Sequence, residues 1–160
     1  MFSFPNPVNE KAARVVGGVV LATAFAILAT DAYGLLIPLA YGFLARVLTG
    51  PTLSPLGWIA QNVIAPALGE KKPVPGPPKR FAQGIGALIS TAALVLALVV
   101  GDNGVADGLL ILLALAAGLE SIFAFCVGCK LFGLLMRAGL VPEAVCEECA
   151  DLGIRLSAAR

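Results

Sequence analysis

Histidine is missing from all 160 residues. Its absence removes Ser-His-Asp and Cys-His catalysis, His-ligated haem and every zinc site that needs an imidazole. Charge is almost as scarce, with 13% Asp, Glu, Lys and Arg, about half the share of a soluble domain. Eleven basic residues against ten acidic ones leave a net charge of +1, so nothing draws the chain toward nucleic acid. The apolar share, 59%, exceeds the ~45–50% of soluble folds even with glycine counted there. A chain of one domain's length with this composition belongs in a bilayer.

Uncharged stretches run from Val15 to Thr30, Ala32 to Ala45, Phe81 to Gly101 and Gly108 to Cys129, the last broken only by Glu120. A bilayer core takes ~20 apolar residues per helix. The last two stretches meet that length. The first two reach it if Arg14 and Arg46 snorkel to the headgroups. The expectation is four transmembrane helices at about 13–30, 32–48, 81–101 and 108–131, the first two forming a tight hairpin that turns at Asp31, with a re-entrant pair as the alternative. Pro38 should cost the second helix a hydrogen bond and bend it. The first stretch has signal-peptide features, charges ahead of an apolar run containing Ala22-Thr-Ala24, but is read as a retained span.

With the N-terminus in the cytoplasm, all eleven basic residues fall on the inner side: Lys11, Arg14, Arg46, Lys71, Lys72, Lys79, Arg80, Lys130, Arg137, Arg155 and Arg160. The outer turns keep only Asp31, Asp102 and Asp107. That is the positive-inside pattern, and it puts both termini in the cytoplasm. Between spans two and three, Ser54 and Pro55 form a helix start. Leu56, Ile59, Ala60, Val63 and Ala67 then recur at helical spacing beside Trp58, an interfacial residue type. Residues 54–68 are therefore expected as an amphipathic helix on the membrane surface. The run Pro73-Val-Pro-Gly-Pro-Pro78 reads as a stiff spacer holding Lys71, Lys72, Lys79 and Arg80 against anionic lipid.

Chemistry concentrates in two C-x-x-C pairs, Cys126/Cys129 and Cys146/Cys149, separated by sixteen residues. That spacing is of the zinc-knuckle type. An unbroken fourth helix would lift the first pair ~15–20 Å from its end, while a returning helix from Pro142 raises the second only ~6–10 Å. A four-cysteine zinc or iron site thus needs a break, expected at Gly133. Without it the pairs act separately, in thiol exchange or sulfur carriage, or are small buried hydrophobes. Lys130 should favour the Cys129 thiolate. Around the second pair, the helix start at Pro142 opposes Glu143, Glu147 and Glu148. A structural disulfide is not expected on the cytoplasmic side.

Glu120, a carboxylate within an apolar span, marks a site by default. It reads as a proton donor for the thiols or a quinone headgroup, or as a neutral acid bonded to Ser90, Thr91 or a carbonyl. On a continuous helix it lies about 120° round from Cys126, out of register with it. Gly18-x-x-x-Ala22 and Gly86-x-x-x-Ser90 are close-packing patterns, within the chain or between subunits of a homo-oligomer or membrane complex.

Four stretches together resemble the bacterial membrane family described as domain of unknown function 4395: Phe4-Pro-Asn-Pro-Val-Asn9, Gly50-Pro-Thr-Leu-Ser-Pro-Leu-Gly57, Pro77-Pro-Lys-Arg-Phe-Ala-Gln83 and Phe125-Cys-Val-Gly-Cys-Lys130. The tail Val141-Pro-Glu-Ala-Val-Cys-Glu-Glu-Cys-Ala-Asp151 resembles its actinobacterial branch. The resemblance covers nearly the whole chain and implies a bacterial cytoplasmic membrane protein. It also implies thiol or sulfur chemistry, because family members are described beside thioredoxin-like and rhodanese-like proteins. A weaker likeness to quinone-linked disulfide-forming enzymes conflicts with the inner placement of both pairs.

The resulting expectation is one all-α membrane domain, 1–160: a polytopic bundle of four spans, the interfacial helix and a short cytoplasmic C-terminal helix in a tail at 139–160. Cys126, Cys129, Cys146 and Cys149 would perform thiol redox or sulfur relay with a thioredoxin- or rhodanese-like partner, Cys126/Cys129 as the membrane-embedded pair and Cys146/Cys149 as the mobile one. The alternative is a non-enzymatic scaffold subunit in which the four cysteines hold zinc or iron.

Overall fold

In the computed structural model, which describes residues 6–70 and 72–142, the helices begin and end where cap chemistry dictates. Helix α1 (Glu10–Thr30) starts as Asn9 Oδ1 accepts the Lys11 amide at 3.1 Å, and stops at Asp31, which adopts a left-handed φ of 53°. A 3₁₀ turn, Tyr33–Leu35, leads into α2 (Leu36–Thr49). Pro38 falls in the first turn of α2, where amides have no intrahelical acceptor, so the expected lost hydrogen bond does not arise.

The Ser54–Pro55 start is present, the Gly57 amide donating to Ser54 Oγ at 3.2 Å. Helix α3 (Pro55–Ile59) widens into a π-helical turn (Ala60–Ile64) and ends in α4 (Ala65–Ala67), with Trp58 exposed. The proline-rich run is no free spacer. Strand β1 (Val8–Asn9) pairs antiparallel with β2 (Pro73–Val74), Val8 opposite Val74. The Glu10 amide extends this clasp to the Lys72 carbonyl at 2.9 Å. Gly76, Pro77 and Pro78 then form the first turn of α5 (Gly76–Val95), ahead of the start expected at residue 81. Proline suits that turn because its missing N–H would be unpaired there in any case.

A π-helical turn (Leu96–Val100) carries α5 to Gly101, whose φ of 81° suits glycine. Asp102 Oδ1 accepts the Val105 amide at 3.1 Å and starts α6 (Asn103–Phe123); α7 (Val127–Arg137) follows. Three helices, Glu10–Thr30, Gly76–Val100 and Asn103–Phe123, are long and apolar enough to cross a membrane, while Tyr33–Thr49 is apolar but shorter. Their outer faces display Phe25, Leu88, Val99 and Leu115, apolar surface suited to lipid and costly in water. Apart from the two-residue strands, the described residues are helices and turns.

The sequential helices are not the intimate pairs. Helix α1 packs along α6, α2 along α5, and α5 also meets α6 and α7, whereas α1 and α2 barely touch. The expected tight hairpin is therefore only a chain reversal. Small residues decide these pairings. A Cβ on Gly86 would lie 2.3 Å from the Phe43 ring, and one on Gly17 would lie 3.3 Å from the Ala117 carbonyl oxygen. On α1 the buried row runs Val16, Gly17, Val20, Ala24 and Ile27, leaving Ala22 of the expected motif exposed.

This antiparallel arrangement gathers Lys11, Arg14, Arg46, Lys79, Arg80 and Glu120 at one end, and Asp31, Asp102 and Asp107 at the other. The arginines at this end bond to the bundle itself. Arg14 donates from Nε to the Ser121 carbonyl at 3.0 Å and from Nη2 to that of Ile122 at 3.1 Å, answering carbonyls at the end of α6. Arg80 Nε does the same for Val47 at 3.0 Å. Arg46 is buried outright.

Candidate functional site

The helix ladder that ends α6 is broken by Ala124, which takes a left-handed φ of 56°, while the Phe125 amide returns to the Leu119 carbonyl at 3.1 Å. Cys126 then adopts extended backbone and serves as N-cap of α7, its Sγ accepting the Cys129 amide at 3.3 Å. The chain thus breaks before the first cysteine. Gly133, the expected break, lies inside α7 with open space around it, and the helix over the fourth apolar segment ends at Phe123 instead of running on through the cysteines. The C-x-x-C pair sits on a helix start, with the two sulfurs 2.6 Å apart and Cys126 the more buried.

Gly128, between the cysteines, fixes where this turn lies. A Cβ there would come within 2.5 Å of Ala82 Cβ and 2.7 Å of its Cα, so α7 approaches α5 backbone to backbone. Phe81 and Phe132 close the same contact, their ring centroids 5.6 Å apart. Beside it, the buried Lys79 of α5 pairs through Nζ with Oε1 of the half-buried Glu120 of α6. Glu120 therefore pairs with a cation and not with Ser90 or Thr91. Ser90 Oγ donates to the Ala87 carbonyl at 3.2 Å, and Thr91 Oγ1 has no partner among the described residues. Lys79, expected against lipid, is 7% exposed; the early start of α5 turns it inward.

The Cys126 thiol is held below its ordinary pKa, chiefly because the Cys129 thiol donates to it, with burial and the Glu120 carboxylate opposing and the Lys79 ammonium assisting. Cys129 is pushed up by that same donation and by burial. The favoured thiolate is thus Cys126. Lys130, expected to assist Cys129, instead lies over the Phe125 ring, 5.7 Å from its centroid.

Three of these features escaped sequence reasoning. Gly128 was visible as the glycine of C-V-G-C, but its meaning depends on Ala82 across the contact. Lys79 and Arg46 looked like flanking charges because register along one helix does not say which helices pair.

Cys146 and Cys149, with the expected C-terminal helix, lie outside the described residues. Cys126 and Cys129 supply two of the four ligands a zinc or iron site would need, and no group of three His, Cys, Asp or Glu residues gathers among the described residues. No curated protein and no solved structure is detectably similar to the chain. A family model described as a domain of unknown function, DUF4395, matches residues 8–137, and by that match over most of its length the chain belongs to the DUF4395 family.

Proposed function

We propose that the chain is a four-span protein of the bacterial cytoplasmic membrane whose Cys126/Cys129 pair performs thiol–disulfide exchange or sulfur relay on the cytoplasmic side. The observation that carries this is the helix-start geometry of the pair. Cys126 accepts both the amide and the thiol of Cys129, an arrangement that lowers a thiol's pKa and readies a thiolate for attack. The gathering of cations at that end supports its cytoplasmic placement. The 3₁₀ turn added to α2 gives Tyr33–Thr49 roughly 25 Å of length, a few ångströms short of the hydrocarbon core, a mismatch that local thinning of the bilayer absorbs to complete the fourth span. Exposed Trp58 supports an interfacial site for α3.

In the exchange, the Cys126 thiolate attacks one sulfur of a partner disulfide and expels the other as thiolate, leaving a mixed disulfide. Cys129 loses its proton to that departing sulfur, attacks Cys126 and releases the partner's second thiolate. The partner gains two electrons and the pair becomes a disulfide; the reverse sequence oxidises a partner dithiol. In sulfur relay the same thiolate takes the terminal sulfur of a partner persulfide, which departs as its thiol. The partner is a thioredoxin- or rhodanese-like protein, and Cys146/Cys149 would be the second station.

The test is capture of a mixed disulfide with a purified thioredoxin. Cys129→Ser should accumulate it, and Cys126→Ser should abolish it. Capture at the wild-type level in Cys126→Ser sinks the reading.

A further inference from the structure

A cavity of about 50 Å³ opens between α1, α2, α3 and α5, lined by Ala13, Val16, Arg46, Gly57, Lys79 and Gln83 among others. That volume is roughly three to four times what one water requires. Arg46 is 6% exposed and Lys79 is 7% exposed, so two buried cations share this wall. Lys79 has Glu120 as its counter-ion. Arg46 has no carboxylate within ion-pair distance among the described residues. Its Nε donates to Gln83 Oε1 at 2.9 Å and its Nη1 to Ser54 Oγ at 3.3 Å, both neutral acceptors, and its guanidinium carbon lies 4.7 Å from the Phe43 ring centroid. Its Nη2 is buried with no partner among the described residues.

A buried guanidinium held only by neutral groups is a costly arrangement unless an anion completes it. Water can satisfy the Nη2 donors, but it cannot balance the charge. Gln83 and Ser54 hold the fork in a fixed orientation, which suits bidentate recognition of a planar or tetrahedral oxyanion. Gln61, also on the wall, adds an amide donor without charge. We propose that this cavity binds a phosphate- or sulfate-like oxyanion, with Arg46 as its anchor and Lys79 as the second cation. The site uses neither cysteine and shares only Lys79 with the surroundings of the thiol pair.

Such a group arrives either as a free inorganic anion or as the headgroup of an anionic phospholipid. The test is thermal unfolding of the full chain in phosphate-free non-ionic detergent at constant ionic strength. Sulfate or inorganic phosphate is titrated against chloride in one arm. In the other, phosphatidylglycerol is titrated in mixed micelles against phosphatidylcholine. The expected result is a saturable rise in Tm of roughly 5–10 °C at about a hundredfold excess over Kd.

A rise with the inorganic anions assigns the site to a free anion, and a rise with phosphatidylglycerol alone assigns it to a headgroup. In either case Arg46→Gln should remove the rise, and Ala13→Leu, which fills the cavity without touching Arg46, should do the same. Arg46→Lys, which keeps charge and loses the fork, should weaken half-saturation by about tenfold. No saturable rise in either arm, or a rise undiminished in whichever of these variants folds, overturns the proposal.

Discussion

Where Asp31, Asp102 and Asp107 gather, neutral donors answer the carboxylates. Val105 gives its amide to Asp102, and the Tyr33 hydroxyl donates to Asp107 at 3.0 Å. At the opposite end the charges reach across the bundle: Arg14 to α6, Arg80 to α2, Lys79 to Glu120, and Arg46 to Gln83 and Ser54. One end closes a turn with the short-range cap at Asp102 and ties Tyr33 to Asp107 across the bundle through a neutral hydroxyl, each contributing modestly. The other holds two of its cations, Arg46 and Lys79, away from water, so that removing the partner of either strands a buried charge. Cys126 and Cys129 lie at the second kind of end, where a buried charge makes neighbouring groups depend on one another.

The sharpest way to break this contrast is Glu120→Ala set beside Asp102→Ala. Loss of Glu120 leaves Lys79 buried and unpaired and should cost about 3–5 kcal/mol, read from denaturation in mixed micelles. A loss equal to that of Asp102→Ala would erase the difference between the ends. Glycines sharpen the comparison next. Gly86→Val and Gly128→Val push a side chain into Phe43 and Ala82 and should each cost about 1–3 kcal/mol. Gly108→Ala, at a helical position with nothing within 4 Å, should stabilise by up to about 1 kcal/mol. Gly128→Val should also alter the thiol reactivity that Gly86→Val leaves alone.

Asp102→Ala itself should cost about 1 kcal/mol, the worth of a helix cap, measured in the same denaturation series. The smallest effect is one of pH. Because the Cys126 pKa is lowered on folding, its thiolate contributes stability above the unfolded thiol's pKa and loses it as pH falls through the folded value. Alkylation of Cys126 by iodoacetamide should accordingly persist to lower pH in the folded chain than in the unfolded one. Identical profiles would refute the assigned hydrogen bond from Cys129.

What the sequence disclosed follows the range over which its signals act. Ser54 with Pro55, the turn at Asp31, and the apolar runs are local, and the helices they announce are present. Cys126, Cys129 and Glu120 were conspicuous by residue type alone. The break after α6 was illegible because it is made by Ala124, a residue without the conformational signature of glycine, so the segment read as continuous to 131. Pro77 and Pro78 were read as spacer because proline is equally at home in an extended run and in a first helical turn. The inward turn of Lys79, the burial of Arg46 and the function of Gly128 all depend on pairing between distant helices, which no window of sequence contains.

That pairing has a consequence for how the chain is made. Helices α1 and α2 leave the ribosome first, yet α1 finds its principal neighbour in α6 and α2 in α5. At ~5–20 residues per second, they wait several seconds for those neighbours with little mutual contact. Throughout that interval Arg46 has no Gln83 to bind, and Gly17 has no Ala117 to pack on. The order of synthesis thus makes the second half of the chain the template on which the first half settles, and translation arrested before α5 would leave α1 and α2 with no shared core.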